Sequence, residues 1–372
     1  MRVVPTRHLR LAEFVVAVVL VAKLASAEPT GSPPYVRALR VEQAPRIDGV
    51  LDDACWRTTE ALTNFAQVLP VAGAQPSERT EIRFAYTRDV LFIAIRCFDR
   101  EPEKILVKTM QRDNPFDSDD YVKIAFDTFA RQRDGYVFMV NAAGARSDSI
   151  FGRFSEENRN FDAIWSARAR VDSEGWTAEI AIPLKSISFD VRNDLWRMNI
   201  ERVIRHRQET VRWTAISPAK SVTALEDFGE LRELRDLRQG LGLELRPYIR
   251  GTYRNDSVPR NRGFLFDSGF DVTYRITPSL TAVGTFRTDF AESEVDERVV
   301  SLSRFPTFFP EKRDFFLQDA QLFTFGGLTD DDRPYFSRRI GLGSDGLPVT
   351  IIGGLRLTGR IGGTSVALLD VE

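Results

Sequence analysis

The chain has 372 residues, 43% of them hydrophobic and 28% charged, a composition that excludes a disordered or collagen-like protein. With 51 Lys plus Arg against 53 Asp plus Glu, the formal net charge is -2, which removes the electrostatic case for nucleic acid as a partner. Two Cys and two His leave little material for a Cys/His zinc site or a His-based catalytic system, and 27 Phe without helical periodicity point to a mostly β protein.

Residues 1–27 read as an export signal. Arg2, Arg7 and Arg10 form a basic start, an apolar run follows from Phe14 to Ala22, and Ala25-Ser26-Ala27 supplies small residues for cleavage before Glu28. The run between Glu13 and Lys23 is too short for an anchor helix. Residues 28–34 (EPTGSPP) are a short lead. Export predicts a mature chain outside the cytoplasm.

From Tyr35 to Leu234 short alternating runs follow one another. Ile82, Phe84 and Tyr86 share one face, and the turn Thr87-Arg88-Asp89 leads into Val90 to Phe98, the pattern of a hairpin. Further inward rows are Val122, Ile124 and Phe126; Tyr136, Phe138 and Val140; Trp176, Ala178, Ile180 and Ile182; and Trp196, Met198, Ile200 and Arg202. Together they predict an antiparallel, jelly-roll-like β-sandwich. Cys97 falls on the inward face with Leu91, Ile93 and Ile95, and Cys55 precedes Trp56 in a short helix; both read as small buried apolar residues. Asp48 and Asp52 around Gly49 read as an Asx-type turn.

The same stretch resembles family 9 carbohydrate-binding modules. The opening is residues 46–56 (RIDGVLDDACW), followed in order by Val90 to Ala94 with Asp99, the strand Asp120 to Asp127, residues 175–183 (GWTAEIAIP) and residues 227–231 (DFGEL). The resemblance implies a β-sandwich and a polysaccharide or oligosaccharide partner. In the family a sugar lies between two Trp rings, with a Glu and an Arg on adjoining strands. Here Phe116 takes the place of one Trp and Leu225 lies near that of the other, while Lys123 stands for the Glu and Met139 for the Arg. Phe116, Lys123, Met139 and Asn141 are therefore the candidate glycan-binding residues, with the sugar-contact types largely replaced. A docking domain without glycan affinity is the companion reading.

Asp113, Asp117, Asp119 and Asp120 offer carboxylates for Ca²⁺, without the spacing of an EF-hand; a solvated acidic loop is the alternative. Calcium is thus the one cofactor these acids suggest, and a haem is a separate reading of Lys123 and Met139.

Beyond Gly240 the texture changes. Residues 241–253, 266–277, 279–290, 350–360 and 362–369 are runs of about ten with alternating polarity, the length of tilted transmembrane strands. Residues 288–296 (TDFAESEVD), 302–306 (LSRFP), 308–316 (FFPEKRDFF) and 335–341 (YFSRRIG) resemble a bacterial family in which a family 9 module precedes an outer-membrane β-barrel. That resemblance implies the periplasm or outer membrane of a Gram-negative bacterium. Five strands fall short of the eight or so that close the smallest barrels, so residues 241–372 are expected to be the first part of a truncated barrel. Phe308, Phe309, Phe315 and Phe316 around Glu311, Lys312 and Arg313 predict a packed aromatic loop pinned by ion pairs.

Three motifs lack their context. Residues 341–346 match G-x-G-x-x-G but precede a β-like run rather than a helix. His206, between two Arg, reads as a surface strand residue. No two acids are singled out for glycoside hydrolysis. The leading expectation is a non-catalytic, exported binding or docking module carried by a barrel. Its competitors are the targeting part of a secreted glycan hydrolase, and a haem-binding electron-transfer sandwich using Lys123 and Met139 on one face.

Overall fold

The computed structural model describes residues 32–153, 155–240, 242–257, 260–287, 313–317, 320–323, 337–341, 349, 351–361 and 364–372. The expected signal, most of the lead and the motifs at 288–312 lie outside the described residues, as do most of the 341–346 glycine run and Tyr335 and Phe336.

The chain enters as β1 (Tyr35–Arg37) and β2 (Leu39–Arg40) and turns through helix α1 (Ala54–Thr58). It continues as β3 (Ala66–Leu69), β4 (Thr80–Tyr86), β5 (Val90–Phe98), β6 (Tyr121–Asp127), β7 (Asp134–Asn141), β8 (Arg146–Gly152) and β9 (Ser155–Asn158). β10 (Ser166–Asp172), β11 (Gly175–Pro183), β12 (Leu195–Ile204), β13 (Glu209–Arg212) and β14 (Gly229–Arg232) complete the sandwich. The larger sheet runs β1-β14-β12-β6-β7-β8-β9, with β13 on β12 and β3 on β13; the smaller runs β10-β11-β5-β4-β2. Pairing is antiparallel except at two edges, where β1 lies parallel to β14 and β2 parallel to β4. The chain crosses between the sheets at Ala38.

Every inward row expected from the alternation enters the core between the sheets, because period-2 spacing sends those side chains to a single face. Trp176 and Trp196 are fully buried there, each worth roughly 2–3 kcal/mol of apolar burial. Arg202, also in an inward row, is fully buried and donates to Arg79 O, Thr80 Oγ1 and Phe98 O, tying β12 to the opposite sheet. Cys97 lies in this core, whereas Cys55 packs with Trp56, Phe92 and Ala94 on the other face of the smaller sheet; both thiols are free.

That other face is closed by residues 46–58, and Glu179 of β11 holds them there. Its carboxylate is fully buried and accepts from Trp56 Nε1 at 2.8 Å, Gly49 N at 2.9 Å and Asp48 N at 3.0 Å. Asp48 Oδ1 in turn accepts from Val50 N, the expected Asx turn. Gly49 adopts φ +85, and a Cβ there would lie 3.2 Å from the Ala169 carbonyl carbon, so only glycine fits.

After Gly240 comes a third sheet: β15 (Leu243–Ser257), β16 (Arg260–Thr277), β17 (Leu280–Phe286), β18 (Gly353–Ile361) and β19 (Thr364–Val371), an antiparallel meander in chain order. β15 and β16 are longer than the periodicity predicts, since their paired ends carry polar residues that hide the strand signal. Among the described residues these five strands form an open sheet, not a closed barrel. Its polarity is reversed relative to the sandwich. Leu243, Leu245, Ile249, Tyr253, Phe264, Phe266, Phe270 and Tyr274 are exposed on one face, whereas Thr281, Thr285, Arg356 and Thr358 are buried on the other.

Helix α2 (Asp314–Leu317) packs Phe315 and Phe316 with Val283 and Ile351. Their rings meet edge to face at 4.9 Å. Arg313 stacks over Phe316 and donates to Ser337 O and Ile340 O, while Glu311 and Lys312 of the expected ion pairs lie outside the described residues.

Candidate functional site

The outer face of the larger sheet gathers the candidate glycan residues. Cross-strand register places Arg212 (β13), Glu201 (β12), Lys123 (β6), Met139 (β7) and Ser147 (β8) in one row. Since successive side chains alternate faces, these five point away from the core in which Phe126 and Phe138 lie.

The row is charged and largely covered. Lys123 Nζ lies 2.5 Å from Glu157 Oε2, whose partner oxygen Oε1 accepts from Ser149 Oγ at 2.9 Å. Arg212 Nε donates to Glu201 Oε2 at 2.6 Å, and the Tyr121 hydroxyl to Glu201 Oε1 at 3.3 Å. Burial, reinforced by Glu201, holds the Tyr121 phenol well above its ordinary range, so it stays a donor.

Phe116 and Leu225 close over this face. Both belong to one buried cluster with Met139, Phe151 and Phe228, and Tyr121 packs against it. Phe116 is 1% exposed and adopts φ +46, an unusual conformation for a bulky residue that its loop maintains through the Phe116 carbonyl, which accepts from Asp119 N at 3.0 Å. A sugar reaches this ring only if the covering side chains move. Asn141 is fully buried with all its polar capacity used: Nδ2 donates to Thr109 O and Asp119 Oδ2, and Oδ1 accepts from Ala143 N and Ala145 N. It positions the loop that carries Phe116.

The four acids proposed for Ca²⁺ are dispersed. Asp117 is exposed, Asp113 is half-buried beside Arg112, and Asp119 accepts from Lys108 N and Asn141. Asp120 turns toward Asp99 and His206. His206 is no surface strand residue: it sits in the short turn Arg205–Arg207 with its side chain 10% exposed.

Residues 47–231 match the carbohydrate family 9 binding domain-like model. The sandwich is a domain similar to the family 9 carbohydrate-binding modules. Residues 240–349 match a domain of unknown function (DUF5916). Among solved structures, the chain is similar to a family 9 carbohydrate-binding module from Caldicellulosiruptor kristjanssonii in complex with glucose, at 13% identity over 54% of this chain and 95% of that one, TM-score 0.39. A family 9 carbohydrate-binding module from the same organism in complex with cellotriose matches at 13% over 55% of this chain and 94% of that one, TM-score 0.38. A candidate carbohydrate-binding protein from Bacteroides uniformis matches at 13% over 54% and 99%, TM-score 0.42. No curated protein matches the chain.

Within the family 9-like domain, Lys123 and Met139 share one face as cross-strand neighbours, as the haem reading requires. Lys123 is engaged by Glu157, however, and Met139 is packed in the apolar cluster. Tyr121, Ser149, Glu157, Glu201 and Arg212 are site residues that the sequence reading missed. Tyr121 and Glu201 left a signal, because each adjoins a residue of an inward row, Val122 and Arg202. A separate cavity of about 410 Å³ lies between the domain and the third sheet, lined in part by Phe161, Lys185, Arg246, Asp271 and Arg356.

Beside the site, Arg112 reaches Asp113, Asp148 and Asp162 together. Burial first, and the Asp148 charge second, push the Asp113 carboxyl up to about 6 from 3.8. A raised folded-state value means the native state holds this proton more tightly, so the contribution is full below pH 3.8 and is lost as pH rises through 6. Asp113→Asn, which retains a residue tolerant of the φ +61 found there, should raise stability at pH 7.5 by about 1 kcal/mol after allowance for solvent screening. The gain should vanish near pH 4, as read from urea midpoints at the two pH values.

Proposed function

We propose that residues 35–234 form an exported, non-catalytic module whose partner is a polysaccharide or oligosaccharide, bound on the outer face of the larger sheet. The observation that carries this reading is the row Arg212–Glu201–Lys123–Met139 beneath Phe116, inside the stretch that matches the family 9 model. Carboxylate, guanidinium, ammonium and phenol groups suit sugar hydroxyls, and the ring suits an apolar sugar face. The residues after Gly240 attach the module to the outer membrane as strands of a β-barrel, a reading supported by the apolar residues exposed on the third sheet.

A glycan array on the purified full chain tests the first part. Phe116→Ala should weaken the strongest signal about five-fold or more, the cost of losing a stacking ring. Glu201→Gln, which keeps the side-chain size, should weaken it as well. Binding unchanged in both variants places the sugar elsewhere. A blank array favours a docking domain, which has its own support: Lys123 with Glu157 and Arg212 with Glu201 already satisfy one another.

A further inference from the structure

Where β5 ends, β6 begins and β12 turns, three side chains from distant stretches of sequence converge. Asp99 follows β5, Asp120 precedes β6 and His206 lies in the turn after β12; one ligand atom of each lies within 4.8 Å of the other two. Asp99 is 3% exposed and Asp120 1%. Asp99 Oδ1 accepts from Glu101 N at 2.9 Å and Asp120 Oδ1 from Arg205 N at 2.7 Å, which fixes both carboxylates. Asp99 Oδ2, Asp120 Oδ2 and both ring nitrogens of His206 are left buried without a hydrogen-bond partner; His206 Nε2 lies 3.6 Å from Asp99 Oδ1 and 4.0 Å from Glu101 Oε2, too far for a hydrogen bond.

Buried polar atoms are rarely left bare, and four in one place call for a ligand that all can share. No nearby guanidinium donates to these unpartnered oxygens among the described residues, although the Arg202 charge is felt at Asp120. Arg202 donates to Arg79 O, Thr80 Oγ1 and Phe98 O, Arg205 Nε to Asp119 O, and Arg207 pairs with Glu78 and Glu101.

We propose that Asp99, Asp120 and His206 bind one divalent cation of the zinc class. An imidazole nitrogen with two carboxylate oxygens suits zinc, whereas calcium takes oxygen ligands throughout. Three protein ligands leave a fourth position for water. Ligand atoms around such an ion lie roughly 3–4 Å apart, so small side-chain shifts close the group. β5 belongs to one sheet and β6 and β12 to the other, so the ion would join the two layers. Arg205, whose N–H holds Asp120, also donates to Asp119 O and Phe116 O, so the ion would brace the loop over the candidate sugar face.

The test is calorimetric titration of the full chain, free of any affinity tag, with zinc, manganese and calcium chlorides, and metal content measured after dialysis. One equivalent of Zn²⁺ should bind with a Kd of roughly micromolar order, Ca²⁺ at least about ten-fold more weakly, and Zn²⁺ should raise the thermal midpoint. His206→Gln and Asp120→Asn should each weaken binding about ten-fold or more, while Asp117→Asn leaves it unchanged. Near-UV circular dichroism of each variant checks the fold, and His206→Gln, a near-isosteric change in a short turn outside the strands, keeps the test usable if Asp120→Asn fails to fold. Absence of stoichiometric Zn²⁺ binding by the parent chain overturns the proposal. So does full affinity in a folded His206→Gln variant.

Discussion

Glu179→Ala should destabilise the sandwich by about 3–5 kcal/mol, enough to consume much of a typical domain's stability. The carboxylate accepts three hydrogen bonds from the segment that covers the smaller sheet, two from the Asp48–Gly49 turn and one from Trp56 Nε1. Removing it leaves the indole N–H and the Gly49 N–H without an acceptor in a buried place, at about 1–3 kcal/mol each, besides a cavity the size of the side chain. Burial pushes the Glu179 carboxyl above its ordinary range even though all three donors pull it down, which shows how deeply it is enclosed. Glu179→Gln keeps one acceptor oxygen and should cost about half as much. Urea unfolding followed by Trp fluorescence of the full chain measures both. A loss below about 1 kcal/mol in Glu179→Ala would mean that apolar packing of Trp56 against Phe92 and Ala94, not the carboxylate, holds the segment.

This link also explains what could be read in advance and what could not. The opening stretch and the Trp176–Ile182 strand were visible as separate marks, about 130 positions apart, but no local pattern says that one carboxylate joins them. The core was legible because Ile82, Phe84 and Tyr86, and the equivalent rows, alternate strictly, and period 2 leaves a buried sheet little choice of face. The parallel edge strands were not, because β1 and β2 have three and two residues. At the candidate site, no pattern in the sequence named Glu201 or Arg212 as site residues; they lie buried and paired with each other, with Arg212 also held by the carbonyls of the loop after β13. Long-range loop placement has no periodic signature. The same limit hid Asp99, Asp120 and His206, whose meeting depends on how three strand ends align. In the third sheet the alternation was legible but not its polarity, since a period of 2 is the same whichever face meets water.

That polarity leads to the second large effect expected. Ile249 lies in the middle of β15 and is 81% exposed; Leu245 and Phe266, on the same face, are exposed as well. The opposite face carries Arg250 with Asp267 at 2.9 Å, and buried Arg356 and Thr358. A sheet made to face water would reverse this, because exposing aromatic and aliphatic rows costs solvation free energy and invites association. Lipid-facing strands invert the rule: apolar residues point out and polar ones line the interior. Hydrocarbon also allows no bare backbone, so if this face meets lipid, β15 and β19, at the ends of the described sheet, would need further strands to pair with. Ile249→Arg should therefore cost about 2–4 kcal/mol if the face meets lipid near the midplane, but stay within about 0.5 kcal/mol if it meets water. If the face meets lipid, adding Phe266→Arg should lower recovery of the chain in outer-membrane fractions about ten-fold or more, while Arg250→Gln on the polar face should change it little. If the double variant is instead more soluble, and keeps its strand content by circular dichroism, the sheet faces water and the membrane reading fails.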